Sequence, residues 1–227
     1  GGHGDYRVIV LAPDTVQEAA DLTVLAFDLA DRWRMPAMIL GDGVIGQMME
    51  AITLPAPRSP ESLPDKSAWA VGNMHNRPPH RITSINLVPE ELEALTLDRF
   101  ARYRRIAEEE TRFEAVDCDG ADLVIVAYGT CARVSKGALQ QARARGLKVG
   151  LFRPITLWPF PEAELAKIAD RGTPILTVEM SMGQLVLDVR LSVRDRVRVD
   201  LLPHSGGVVH SEEEILAACV RILEEEK

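Results

Sequence analysis

The chain has 227 residues, of which 46% are hydrophobic and 26% charged, and its formal net charge is −8 at pH 7. That length suffices for one large or two small cores, and the acidic balance offers no electrostatic footprint for nucleic acid or an anionic membrane surface. No apolar run approaches the roughly 20 residues of a membrane helix and no signal-like N-terminus is present, so a cytoplasmic protein is expected.

The opening stretch GGHGDYRVIVLAPDTVQEAAD places three glycines, a histidine and an aspartate before a strand. It reads as a loop cut into, the turn before a strand of an α/β protein, rather than a beginning; a cloning remainder is the blander account. The segment from Gly1 to about Leu54 reads strand, helix, strand. RVIVLA precedes a capping box, Thr15-Val16-Gln17-Glu18. The helix then runs to Arg34 with an apolar stripe at Val16, Ala20, Val24, Phe27 and Ala30, stops at Pro36, and is followed by the strand AMIL. Two strands and one helix cannot enclose a core, so this unit needs further sequence, a partner, or both.

Residues 55–115 change texture. Pro55, Pro57, Pro60, Pro64, Pro78 and Pro79 mark an irregular connection. From Pro89 onward, Leu92, Leu95, Phe100, Tyr103 and Ile106 among dense charges predict helical pieces packed on one face. Residues 116–227 give the clearest pattern: DLVIVAYG, KVGLF, ILTVE and VRVDLL are strands, each followed by a helical stretch. That alternation predicts a parallel sheet covered by helices on both faces. Ser211 to Glu214 forms a second capping box, and Gly146 closes an earlier helix.

Ligands of an open parallel sheet bind beyond the carboxyl ends of its strands. The loops there begin at Gly129-Thr130-Cys131, Arg153-Pro154-Ile155, Glu179-Met180-Ser181 and His204-Ser205-Gly206-Gly207. Gly129, Arg153, Glu179, His204, Gly206 and Gly207 therefore form a candidate rim that could bind an anion, meet a partner's charges, or satisfy itself across the loops. No G-x-G-x-x-G or P-loop follows these strands. No metal site is predicted. His75 and His80 sit in a proline-rich loop, and Cys118, Cys131 and Cys219 are widely spaced with no C-x-x-C pair, giving neither a disulfide framework nor a zinc or iron–sulfur ligand set. Gly41-Asp42-Gly43 matches the start of the G-D-G motif that carries magnesium on thiamine diphosphate, but its paired asparagine is missing. Asn73 and Asn76 are the next candidates, and a plain turn is the expectation.

Seven blocks, in order, resemble the later part of the alpha subunit of 2-oxoacid:ferredoxin oxidoreductases, in their 2-oxoisovalerate (3-methyl-2-oxobutanoate) branch: GGHGDYRVIVLAP, LAFDLADRWRMPAMILGDGVIGQMME, RFARYRRIAEEETR, VIVAYGT, LFRPITLWPFP, VEMSMGQLVLDVR and HSGGVVHSEEEI. The resemblance spans essentially the whole chain. It implies an α/β protein in which the later part of a thiamine pyrimidine-binding domain, residues 1–54, and a linker, residues 55–115, precede a transketolase C-terminal-like domain, residues 116–227. It implies a parent reaction in which a branched-chain 2-oxoacid and coenzyme A give acyl-CoA, CO₂ and reduced ferredoxin. Thiamine diphosphate with Mg²⁺ and the iron–sulfur clusters would sit mainly on beta, gamma and delta-type partner subunits. The family's activating glutamate lies upstream of this stretch, so no catalytic role carries over and the chain alone is expected to be inert. His3, Gly4 and Asp5 resemble a segment near the thiamine pocket, and Arg153 with the Gly206-Gly207 loop could meet the phosphates of coenzyme A. A homo-oligomer is compatible with the resemblance. Other readings are a 2-oxoacid dehydrogenase beta-type chain, passing its acyl group to lipoamide, and a non-enzymatic α/β dimerisation module.

Overall fold

The computed structural model describes residues 4–72 and 78–226. The first parallel pair is β1 (Ile9–Leu11) and β2 (Ala37–Ile39), joined by α1 (Val16–Trp33). Thr15 caps α1 by accepting from the Glu18 N–H at 3.0 Å. Arg34 ends the helix in the left-handed region at φ 49°, two residues before Pro36. The core face of α1 is Leu22, Ala26, Leu29 and Trp33, not the expected stripe: Val16, Ala20, Val24 and Ala30 are half-buried and Phe27 is 71% exposed. Both stripes satisfy helical spacing, and only packing chooses between them.

Two elements remote in sequence complete this unit. The helix α2 (Pro89–Glu110) lays Tyr103 and Ile106 on Ile9, Leu11 and Leu29, and its Tyr103 hydroxyl accepts from the Arg7 N–H at 3.1 Å. Beyond β3 (Phe113–Val116), β4 (Leu123–Val126), α3 (Gly129–Ala144) and β5 (Val149–Pro154) comes β6 (Thr156–Trp158), and it pairs antiparallel with β1. The three-stranded sheet is ordered β2-β1-β6. The unit expected to need outside help thus draws its closing helix from the linker and its third strand from the C-terminal segment. The divisions near 54 and 115 do not coincide with the packing, because α2 belongs to the first core and β3 to the second sheet.

The second sheet is ordered β3-β5-β4-β7-β8, with β7 (Ile175–Glu179) and β8 (Val199–Pro203). All neighbours are parallel except the edge strand β3. Residues of β4 and β5 are fully buried, as expected of strands covered on both sides. α3 and α6 (Glu212–Glu225) cover one face; α4 (Glu162–Asp170) and α5 (Leu185–Val193) cover the other. The connection from 48 to 71 runs along the outer side of α1. Glu50 accepts from the Val16 N–H at 3.0 Å, Gln17 and Thr53 exchange bonds of 3.0 and 2.7 Å, and Asp28 meets Arg58 at 2.6 Å. Lys66 then meets Asp31 at 2.7 Å. These bonds hold the linker against the half-buried stripe of α1.

Candidate functional site

From β4 the chain moves outward through α3 to β5, then crosses back over β4 to β7, so the sheet reverses its winding between β4 and β7. The carboxyl ends of those two strands are where an open α/β sheet opens a crevice. A cleft of about 380 Å³ lies there. Tyr128, two residues after β4, and Gln184, Leu185 and Asp188, at the start of α5, line one side; Tyr6, Val8, Val10, Met38, Leu40 and Leu157, in or next to the strands of the three-stranded sheet, line the other. The cleft is mostly apolar, with two phenols and one carboxyl. Lost hydration, reinforced by the negative charges of Glu162 and Glu179, pushes the Asp188 carboxyl above its ordinary range. Burial, with Glu179, Cys131 and Asp42 nearby, likewise raises the Tyr128 phenol.

The two helices flanking the cleft are each capped by a carboxylate from elsewhere. α3 has no cap of its own, since its N-cap is Tyr128. Asp42 takes that place: Oδ2 accepts from the Thr130 N–H at 2.8 Å and Oδ1 from the Thr130 hydroxyl at 2.7 Å, while Oδ1 also accepts from the Val44 and Ile45 N–H groups at 3.0 Å. Burial alone would raise the Asp42 pKa, but the bonds from Ile45, Thr130 and Val44 outweigh it and hold the carboxyl below its ordinary value. Glu179, 2% exposed, does the same for α5: its oxygens accept from the N–H groups of Gln184, Leu185 and Val186 at 2.9, 3.0 and 3.2 Å, and from the Ser181 hydroxyl. A helix N-terminus is a ready anion site, and both at this crevice are filled by the protein's own carboxylates.

Arg153 is not on an open rim. It is 4% exposed, with Nη1 and Nη2 donating to Glu18 at 2.7 and 2.8 Å, Nε donating to Glu114 at 2.8 Å, and Asp14 3.4 Å from Nη1. Lys136 closes the cluster on Asp14 at 2.7 Å and Glu114 at 2.9 Å. Three carboxylates thus engage the guanidinium, which departs from the anion-binding expectation: the cluster joins α1 to the second sheet. Gly129 is at φ 59°, and a Cβ there would stand 2.7 Å from Asp42 Oδ2, so glycine is needed for the cap rather than for a ligand. His204 bonds Glu214 at 3.0 Å and stacks on buried His210, whose Nδ1 is 3.7 Å from Cys131 Sγ. Gly206 and Gly207 form an exposed turn at φ 66° and 87° with nothing near a Cβ. The rim residues therefore fall into separate local arrangements. Gly4 and Asp5 offer carbonyls to Arg7 and Arg99 at 2.8 and 3.4 Å and lead into Tyr6 of the cleft; His3, His75, Asn73 and Asn76 lie outside the described residues.

Two family profiles match in order: the thiamine diphosphate-binding family of pyruvate flavodoxin/ferredoxin oxidoreductases over residues 3–114, and pyruvate:ferredoxin oxidoreductase core domain II over residues 121–215. Ketoisovalerate oxidoreductase subunit VorB of Methanothermobacter marburgensis is 45% identical over 207 residues, 91% of this chain and 58% of that protein. The chain belongs to the 2-oxoacid:ferredoxin oxidoreductase family. A further relative, 2-oxoglutarate synthase subunit KorA of the same organism, is 32% identical over 95% of this chain and 64% of its own length. The oxidoreductase chain thus spans less than two thirds of these curated relatives. In fold it is similar to 2-oxoglutarate:ferredoxin oxidoreductase from Magnetococcus marinus, a structure with 2-oxoglutarate, coenzyme A and succinyl-CoA bound (TM-score 0.75, 21% identity, 98% of this chain and 43% of that one), and less closely to a split-gene transketolase (TM-score 0.51, 14% identity).

At the crevice the described residues do not fit a diphosphate or a magnesium ion, and among the described residues no ligand set for an iron–sulfur cluster is present. The helix N-termini at the crevice are filled, both Asp42 oxygens are engaged, and no group of three metal-ligating side chains is present among the described residues. Cys131 and Cys219 are buried in the core on one face of the second sheet and Cys118 in that on the other, and burial raises the thiols of Cys118, Cys131 and Cys219 to about 11, 12 and 12. No described helix is long and apolar enough to cross a membrane. The capping carboxylate Asp42 and the cleft residues Tyr6, Tyr128, Gln184 and Asp188 escaped sequence reasoning. Asp42 after the strand AMIL and Tyr128 near the end of DLVIVAYG are the signals on offer, read from sequence as a plain turn and a strand residue; the others depend on strand order.

Proposed function

We propose that this chain is part of the alpha-type subunit of a thiamine-dependent oxidoreductase that decarboxylates a branched-chain 2-oxoacid, transfers the acyl group to coenzyme A and reduces ferredoxin. The observation that carries it is the 45% identity to a ketoisovalerate oxidoreductase subunit, against 32% to a 2-oxoglutarate synthase subunit and 25% to a pyruvate synthase subunit. Thiamine diphosphate with Mg²⁺ and the iron–sulfur clusters belong, in this reading, mainly to the beta, gamma and delta-type partners, in a cytoplasmic complex. This chain contributes the apolar wall of the switch-point cleft, which excludes water beside the thiamine pocket. The cofactor-proximal reading of Gly4 and Asp5, with His3 before them in the sequence, is supported by the neighbouring Tyr6, which lines that cleft. The test is the complete enzyme, assembled from full-length subunits. With coenzyme A and methyl viologen, kcat/KM for 2-oxoisovalerate should exceed that for pyruvate and 2-oxoglutarate at least tenfold; the reverse order overturns the substrate assignment. The 227-residue chain alone, given the same reagents, should show no turnover.

A further inference from the structure

The chain carries a net charge of −8, yet four arginines converge on one groove. Arg32 and Arg34 come from the end of α1, Arg102 and Arg105 from the middle of α2, with Trp33 and Trp69 as walls, in a groove of about 460 Å³. Arg32 is paired with Glu109 and Glu110 at 2.6 and 3.1 Å, and Arg105 approaches Glu109 at 3.6 Å. Asp98 is the only carboxylate among the groove-lining residues. Arg34 and Arg102 have no carboxylate within ion-pair distance among the described residues, and Arg102 Nε is buried without a hydrogen-bond partner. With Arg32 and Arg105 paired to Glu109 and Glu110, two cations remain, Arg34 and Arg102, against Asp98 and the C-terminus of α1, which is equivalent to about half a negative charge.

The guanidinium of Arg34 lies 5.4 Å from the Trp69 ring, and those of Arg32 and Arg105 lie 5.2 and 5.4 Å from Trp33. Stacking uses the face of a guanidinium and leaves its N–H edge available, held in place by the ring beneath. Two unpaired guanidiniums in one groove, Arg34 held over Trp69 and Arg102 with a buried unpartnered Nε, match a tetrahedral group with three acceptor oxygens, whereas a planar carboxylate is satisfied by a single fork. We propose that this groove binds a phosphate-bearing small molecule, with Arg34 and Arg102 as the principal donors. The site is distinct from the switch-point cleft and does not depend on the oxidoreductase assignment.

The test is calorimetric titration of inorganic pyrophosphate into the full chain, in parallel with a tetraglutamate peptide. Saturable pyrophosphate binding is expected, weakened at least tenfold in Arg34→Met/Arg102→Met and unchanged within twofold in Arg145→Met, an exposed arginine elsewhere. Thermal melts accompany each variant. Should the double variant fail to fold, Arg102→Lys, which keeps the charge and loses the fork, should still weaken binding about fivefold. Absence of saturable pyrophosphate binding, equal loss in Arg145→Met, or tighter binding of the acidic peptide would overturn the proposal, the last marking a protein-docking groove instead.

Discussion

At the residue scale, the seam between the two sheets depends on one glycine and one carboxylate. A non-glycine residue in the left-handed region costs about 1–2 kcal/mol, and loss of a helix cap adds about 0.5–2 kcal/mol. Gly129→Ala meets both costs, because its Cβ would collide with Asp42 at 2.7 Å, whereas Gly206→Ala at φ 66° has open space and meets only the first. Urea denaturation should therefore show Gly129→Ala less stable than Gly206→Ala by roughly 1–2 kcal/mol; equal losses would rule out the Asp42 cap. The same cap is pH-sensitive. The Asp42 pKa in the folded chain lies below its ordinary value of 3.8, so as pH falls the unfolded chain takes up the proton first. Its contribution is full above that ordinary value and is lost as pH drops through the lower folded one. Asp42→Asn should accordingly flatten the acid limb of stability against pH, measured from pH 6 to 2.5.

At the scale of the element, α1 shows where periodicity stops deciding. The helix is apolar on two faces, and the linker lies along one of them through Glu50, Thr53, Arg58 and Lys66. Leu29, 3% exposed in the first core, should cost about 2–5 kcal/mol on truncation to alanine, while Phe27→Gln should stay within about 0.5 kcal/mol of the native chain. Thermal melts of the two variants distinguish the faces; the opposite order would restore the stripe read from spacing. The capping boxes tell a related story. Thr15 and Ser211 accept from the expected N–H groups at 3.0 and 3.1 Å. Their partner glutamates look outward instead: Glu18 binds the Asp14 N–H and Arg153, and Glu214 binds His204. A box is recognisable from local spacing, but its carboxylate goes to the strongest available donor, which here comes from another element.

For the whole molecule, Arg153 joins what the chain separates by more than a hundred residues. Removing one partner of a buried charge cluster leaves the others uncompensated, at about 3–5 kcal/mol. Arg153→Met leaves Glu18 without a cationic partner and leaves Asp14, 5% exposed in its side chain, and Glu114 to share Lys136 alone. Tm should fall by roughly 10 °C, as expected for that loss in a chain of this size. In the assembled enzyme the KM for coenzyme A should be unchanged; a raised KM with an unaltered melt would return the residue to a ligand-binding role. Since β6 pairs with β1 and α2 packs under both, the two sheets should unfold in one transition, coincident by fluorescence and circular dichroism.

Local interactions were enough to specify the strands β4, β5, β7 and β8, the four helices that follow them and both N-caps, because apolar runs, period and cap chemistry act within a few residues. Membership of the oxidoreductase family was equally legible, since seven ordered blocks are a linear property of the chain. The strands β3 and β6 were not, being four and three residues long with no period of their own; they exist because neighbouring strands offer unpaired edges. Nor was the site. Arg153, Glu179 and Gly129 look alike in sequence as strand-end residues, and only the fold shows that their charge and space are consumed by Glu18, by the start of α5 and by Asp42. Which strand-end groups face a ligand depends on where the sheet reverses its winding and which carboxylates arrive there first. Those are long-range pairings, decided by the burial of two cores against each other.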